Sequence, residues 1–501
     1  MNHFPRPHGD NGRGVVWSTQ SFHDRIHPSA EYWIDQLQAL QIKWVKLLDN
    51  GRGSGLSLSR KLLAAGIFPI VGIHNERLNP RRLSTAELAT IRRYVDSGVV
   101  YFESNSEPDR AATWLHSQRP TDWAERVVDA FIADAESILQ HGGLPALPAL
   151  YHATAANLAT LVATRGRVDL FERGAWVALH NRSSNRPWNY PNDAVAQQGA
   201  RLTTADYQAA GGVQNAWMWS GRSLEEINAL RQAQQQPGLA VQDDPACFNG
   251  YLAAGEQLRA AFGFDVPVIS TAAGACVGDD MDPRYQRVTP AAQSEHHLAL
   301  IRHLQQEAPA WYFALCATQL AGRPLGDWEA TSQEHAWFTS AWDAPFGLHG
   351  QLPIVDALRA EPTASRAEVS LPLSSATAEP APLETPTASG IVVELPEQTV
   401  TRPEVIDTDF TATSSPGKPL THYWLLERTA QGAALLGMVL PYVRSHGLLV
   451  GANLDEAQHA TTVTLVGDAF TADQRATLLA AGCRVEQLSG DPFLLAEALR
   501  L

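Results

Sequence analysis

The stretch Val99-Val100-Tyr101-Phe102 runs directly into Glu103-Ser104-Asn105-Ser106-Glu107-Pro108-Asp109, and a long amphipathic pattern from about Asp122 to His141 follows, closed by Gly142-Gly143. An apolar run, a polar exit and a glycine-terminated helix make one strand-to-helix unit. The same unit recurs upstream. Val15-Val16-Trp17-Ser18 precedes a helix near Ala30 to Leu40, and Trp44-Val45-Lys46-Leu47-Leu48 ends at Asp49 before a helix from Leu58 to Ala65 that stops at Gly66. Phe68-Pro69-Ile70-Val71-Gly72-Ile73 exits into His74, Asn75 and Glu76, after which Ser84-Thr85-Ala86-Glu87 offers the next helix a capping box.

Downstream, strands are expected from Ala146 to Tyr151, at Trp176-Val177-Ala178-Leu179 leading into His180 and Asn181, at Val266-Pro267-Val268-Ile269-Ser270-Thr271, and at Trp311-Tyr312-Phe313-Ala314-Leu315-Cys316. Eight such units predict an α/β protein with a (β/α)8 barrel over residues 14–360, because an open doubly wound sheet normally carries a glycine-rich phosphate turn and none is found. Residues 1–13, polar and rich in Pro, His and Gly, read as a flexible N-terminus. A long insertion near residues 182–249, rich in Trp, Asn, Gln and Pro, reads as a functional loop between strands six and seven.

Residues 361–419 shift to Pro, Ala, Ser, Thr and Glu, the composition of a linker. Residues 420–501 read as a small α/β accessory domain. Its strands are expected at Tyr423 to Leu426, Thr462 to Val466 and Arg484 to Leu488, with helices near Ala430 to Ser445 and Ala472 to Ala481 and one at the end.

With 45% hydrophobic and 18% charged residues, the chain of 501 residues is composed like a soluble protein able to bury a large core. A formal charge of -15 repels phosphate and argues against a nucleic-acid partner. No apolar stretch is long enough to span a bilayer or to serve as a signal sequence, so the expectation is no membrane partner and a cytoplasmic location, or a secreted one if the N-terminus was trimmed. Cys247, Cys276, Cys316 and Cys483 show no paired spacing and read as free buried thiols. Neither a metal nor another cofactor is expected, since barrel-end histidines and carboxylates are not clustered at ligand spacing.

A (β/α)8 barrel places its chemistry at the carboxyl ends of its strands. Hydrolysis of a glycosidic bond needs one carboxylic acid and a second carboxylate flanking the bond at about 5 to 9.5 Å, a separation that opposite strand ends can supply. The run from Phe102 to Asp109 resembles the strand-four motif of the clan A retaining glycoside hydrolases, in which Asn-Glu-Pro follows an apolar strand. That resemblance implies that Glu107 is the acid/base and that the nucleophile stands at the end of strand seven. There Ile269-Ser270-Thr271-Ala272-Ala273-Gly274 puts Ala272, which has no group able to attack carbon. Ser106 replaces the Asn expected before the acid/base, and Ala317-Thr318-Gln319 replaces the Trp expected after strand eight. The likeness extends from Gly14 to Ala360 and includes His180-Asn181, Trp188-Asn189-Tyr190-Pro191, Asp243-Asp244-Pro245 and Asp282-Pro283-Arg284-Tyr285, as in a bacterial subgroup of the clan.

The resemblance implies a carbohydrate partner, a β-linked oligo- or polysaccharide, with Asn105, Ser106, His180, Asn181, His74, Glu76, Trp17, Asp49 and Trp188 as candidate binding residues. Each has a plainer reading. Glu107 also suits the first turn of a helix, His180 a satisfied strand-end histidine, and Glu103 a partner for a neighbouring barrel residue. Asp279, Asp280, Asp282 or Asp244 could stand in for the missing carboxylate. Several of the 14 tryptophans, among them Trp217, Trp219, Trp328, Trp337 and Trp342, fall outside the apolar runs, where flat rings suit sugar CH faces or simply pack the insertion. Three functions therefore compete: a sugar-binding barrel with its standard retaining mechanism impaired, an active glycosidase using another carboxylate, and a non-catalytic scaffold for an unknown protein partner.

Overall fold

The computed structural model describes residues 4–18, 28–73, 79–151, 156–210, 216–317, 319–321 and 334–366 and, further on, 418, 420–427, 435, 439, 442–443, 448–467, 470–488 and 495. The chain divides into two compact units, Met1–Glu384 and Thr385–Leu501. In the first, β1 (Arg13–Val16), β2 (Trp44–Asp49), β3 (Phe68–Ile73), β4 (Tyr101–Ser104), β5 (Leu144–Leu147), β6 (Trp176–Asn181), β7 (Val268–Ala273) and β8 (Tyr312–Ala317) close into a parallel barrel in sequence order.

Alternation along the strands sorts their side chains into two cores. Val45, Leu47, Val177 and Val268 point outward to the helices, and Trp44, Ile70, Tyr101, Trp176 and Ile269 point inward. Trp44 and Tyr101 meet edge to face at 5.4 Å and Tyr101 and Trp176 at 5.7 Å, which fills the lower barrel with interlocking rings. Gly14 keeps β1 close to both neighbours, since a Cβ there would lie 2.8 Å from Cys316 Sγ and 3.1 Å from Trp44 Cβ. The expected capping box at Ser84 and Glu87 forms at the start of helix Thr85–Asp96. All four cysteines are free and buried.

Three expectations change. Residues 4–13 are not loose: Phe4 packs on Phe313, and Asp10 Oδ1 accepts the indole N–H of buried Trp44 at 2.8 Å, a donor that would otherwise be stranded in the core. Residues 361–366 belong to the barrel unit rather than to a linker, with Arg13 donating to the carbonyls of Glu361 and Pro362 and Arg366 to those of Tyr312 and Phe313. The insertion after β6 contains helices Ala194–Gln198, Thr204–Ala209 and Leu224–Ala233, the last begun by a capping box of Ser223 and Glu226.

In the second unit, β9 (Leu420–Leu426), β10 (Leu449–Gly451), β11 (Ala460–Val466) and β12 (Arg484–Leu488) form a parallel sheet in the order β10-β9-β11-β12. Helix Ala472–Ala480 matches its expected position, and β10 is an additional strand. The helices expected near Ala430 to Ser445 and at the end of the chain lie largely outside the described residues. Among the described residues no helix is long and apolar enough to cross a membrane.

Candidate functional site

Above the aromatic layer the barrel interior turns polar. Continuing the inward register, Lys46 of β2 and Glu103 of β4 form a buried ion pair at 2.5 Å, so Glu103 is paired with a neighbouring barrel residue. Gly72 of β3 leaves room for it, because a Cβ there would stand 3.3 Å from Lys46 Cε. Burial pushes the Glu103 carboxyl up, but the charge of Lys46 and its hydrogen bond hold it below the usual carboxylate range. His180 of β6 is next in this layer.

Glu107 follows β4 in the left-handed backbone region at φ 55°, as does Asn105 at φ 52°. The Glu107 N–H donates to Ala149 O at 2.8 Å. This turn brings the Glu107 carboxylate to His180, whose Nδ1 lies 2.7 Å from Oε1, and to Arg110 at 2.7 Å from Oε2. Arg182, just beyond β6, lies 3.6 Å from Oε1. Burial pushes the carboxyl up, but these partners overcome it and hold it well below the ordinary carboxylate value. Burial pushes His180 down, against the opposing pull of Glu107, so its imidazole is neutral near neutral pH. With Nδ1–H donated to Glu107, Nε2 is left as an acceptor, buried and without a protein partner. Glu103 Oε1 and Thr271 Oγ1 share that condition.

Ala272 lies inside β7 rather than after it, because the strand runs on to Ala273, and it is buried. Gly274 then turns the chain at φ 84°, and a Cβ on it would lie 2.5 Å from His297 Nε2. Of the loop aspartates that follow, Asp280 is held by Arg287 and Ser220, and Asp282 by Arg284 and Arg186. Asp279 accepts a backbone N–H from Cys276, and burial raises its carboxyl above the ordinary value. The charge of Arg182 acts on both Asp279 and Glu107.

The other candidates divide sharply. Asp49 is fully buried and accepts hydrogen bonds from the backbone of Gly51, Gly53 and Gly55, from Ser54 and from Tyr94. Asn105 exchanges two hydrogen bonds with the Arg81 backbone. Trp17 is fully buried in the outer core, with its indole nitrogen unpartnered. Asn181 donates to Phe248 O and Tyr312 Oη, with its own oxygen unpartnered. Trp188 packs against the outer core. Ser106 is half-buried near Glu103. His74, Glu76, Thr318 and Trp328 lie outside the described residues.

The segments around Tyr190, Asp244, Asp282 and Tyr285 converge into one framework. Tyr190 donates to Asp244 at 2.7 Å, Arg186 pairs with Asp244 and Asp282, and Tyr285 meets Tyr190 edge to face at 6.3 Å. This framework locks the insertion to the loop after β7. Nearby, half-buried Trp217 and Trp342 meet at 6.0 Å, with Phe346 against both, and Gly278, next to Asp279, approaches the Trp342 ring.

Lys46, Arg110 and Arg182 escaped the sequence reading. Only Lys46 left a trace, as a charge at an inward position of an otherwise apolar strand. Among the described residues no group of three or more His, Cys, Asp or Glu is placed to hold a metal ion.

No family model matches the chain, and no curated protein is significantly similar to it. Solved structures are similar at low identity. A family 51 α-L-arabinofuranosidase from Bifidobacterium longum is 11% identical over 64% of this chain and 68% of its own, with a TM-score of 0.35. A β-glucuronidase from Ruminococcus gnavus is 9% identical over 69% of this chain and 48% of its own, with a TM-score of 0.34, so the match spans about half of that protein. A D-psicose 3-epimerase from Clostridium cellulolyticum H10 is 12% identical over 53% and 84%, with a TM-score of 0.25. The closed barrel rests on its own strand pairing, and these likenesses add nothing about activity.

Proposed function

We propose that the carboxyl-terminal mouth of the barrel binds a β-linked oligo- or polysaccharide without cleaving it by the retaining mechanism. The observation that carries this reading is the set of partners on the Glu107 carboxyl, His180 and Arg110 with Arg182 beside it, which favours the ionised form. A general acid must hold a proton near neutral pH, and these partners favour its loss. Ala272 offers a methyl group where a nucleophile would stand. The same arrangement suits binding: His180 Nε2 and Thr271 Oγ1 have no protein partner and can take hydroxyl groups, and half-buried Trp342 adds aromatic surface, whereas the Trp217 ring is covered by Arg287.

The test is titration calorimetry with a panel of β-linked oligosaccharides beside turnover of aryl β-glycosides, with and without azide or formate. Saturable binding without turnover is expected. Turnover appearing only with azide would instead mean an intact site missing one carboxylate. Absence of both, with a protein recovered by pull-down, would favour the scaffold.

Asp279 supports a second reading, hydrolysis with inversion. Its raised carboxyl could supply a proton while Glu107 activates water, an assignment that follows when two environments push carboxyl groups apart. Under that reading the unaltered chain turns over aryl β-glycosides without azide, and Asp279→Asn abolishes the activity.

A further inference from the structure

A cavity of about 330 Å³ lies between the insertion after β6 and helix Pro290–Gln306, walled also by the loop around Tyr285 and free of Glu107, His180 and Ala272. Arg231, from helix Leu224–Ala233, lines it. The residue is 7% exposed, and among the described residues its guanidinium donates to main-chain carbonyls, those of Arg284 and Ala200. Among the described residues no carboxylate lies within ion-pair distance of it; the charges of Asp193 and Asp206 act on it from farther off, and burial outweighs them. A cation that deep is costly unless a counter-charge approaches.

Two further groups in the lining are unsatisfied. The Trp219 indole N–H is buried without an acceptor, its ring lying 5.8 Å from the Arg231 guanidinium carbon. His296 Nδ1 is buried without a partner, and burial holds that imidazole neutral by lowering it to about 4. The wall is otherwise largely apolar, including Leu202. Asp206 and Glu295 also line the cavity, so added negative charge on a ligand would meet repulsion.

We propose that this cavity is a binding site for a small monocarboxylate with a compact ring, its carboxylate taken by Arg231 and the Trp219 N–H and its body set against the apolar wall. Arg231 supplies the charge, the indole a directional donor, and the size limits the ligand to one ring. The flanking carboxylates select a single negative charge over a multiply charged anion such as phosphate.

The experiment uses the full chain and three probes, benzoate, cyclohexanecarboxylate and D-glucuronate, each beside its primary amide, with inorganic phosphate as a further anion. Calorimetry is expected to show saturable binding of at least one carboxylate, with its amide weaker by about tenfold or more. Arg231→Gln is expected to abolish that binding. Trp219→Phe, which keeps the ring and removes the donor, is expected to weaken it several-fold. Equal affinity for acid and amide, tighter binding of phosphate, or no binding of any of the three carboxylates overturns the proposal. If Arg231→Gln does not fold, the Trp219→Phe variant decides, and unchanged affinity in that folded protein overturns the proposal as well.

Discussion

Glu107 and His180 stand 73 residues apart in the chain and 2.7 Å apart in space, joining the turn after β4 to the last residues of β6. The carboxylate fixes which imidazole nitrogen carries the proton, and the imidazole helps keep the carboxylate ionised. Glu107→Gln removes the charge that Arg110 and Arg182 face while preserving shape. Urea denaturation is expected to register a loss of about 1–3 kcal/mol, and oligosaccharide binding at the mouth should weaken with it. Unchanged stability and binding would show that the contact is incidental.

The Lys46–Glu103 pair predicts a non-additive pattern. Lys46→Met alone strands a buried carboxylate and should cost about 3–5 kcal/mol. Adding Glu103→Leu removes the stranded charge and should recover most of that loss. A double-mutant cycle by thermal unfolding measures the coupling, and additive effects would contradict the buried pairing.

Asp134 lies beneath the Leu83 N–H, which donates to both its oxygens at 3.0 and 3.2 Å, and burial raises its carboxyl to about 7. Between about pH 4 and 7 the unfolded chain releases this proton while the folded protein retains it, so rising pH works against folding through that window. Asp134→Asn keeps an oxygen acceptor and carries no such penalty. Its stabilising effect should be near zero below pH 4, grow through the window and level off above pH 7, as read from unfolding midpoints. A gain independent of pH would rule out this cause.

Ala272→Glu tests whether the missing carboxylate is the only departure that matters. Because Glu107 stays held by His180 and Arg110, and Ser106 still replaces the expected Asn, the variant should release no more aryl aglycone than the unaltered chain. Robust turnover would mean that Glu107 can gain a proton when substrate is bound.

The barrel was legible because apolar runs alternate with helical patterns, and β2 and β3 fall on their expected residues almost without adjustment. Strand ends were less so: β7 runs two residues beyond the expected Thr271, which carries Ala272 into the sheet. Register shifts between β6 and β7 and between β7 and β8 decide such details, and they depend on neighbouring strands. Glu107 could be singled out by its place after an apolar run. Its partners could not, because Arg110 reaches it through a left-handed turn and Arg182 through the closure of the barrel. The insertion concealed its helices behind a loop-like composition, although Ser223 and Glu226 already carried a capping signal.

The turn after β2 is organised around one buried carboxylate, Asp49, which gathers three glycine amides, a serine hydroxyl and the Tyr94 phenol. Seen as exchange kinetics, the amides of Gly51, Gly53 and Gly55 should trade deuterium at rates closer to those of strands than of surface turns. That flank of the rim is a fixed abutment, so divergence in what the barrel recognises would accumulate on the opposite side, where the insertion after β6 supplies the wall.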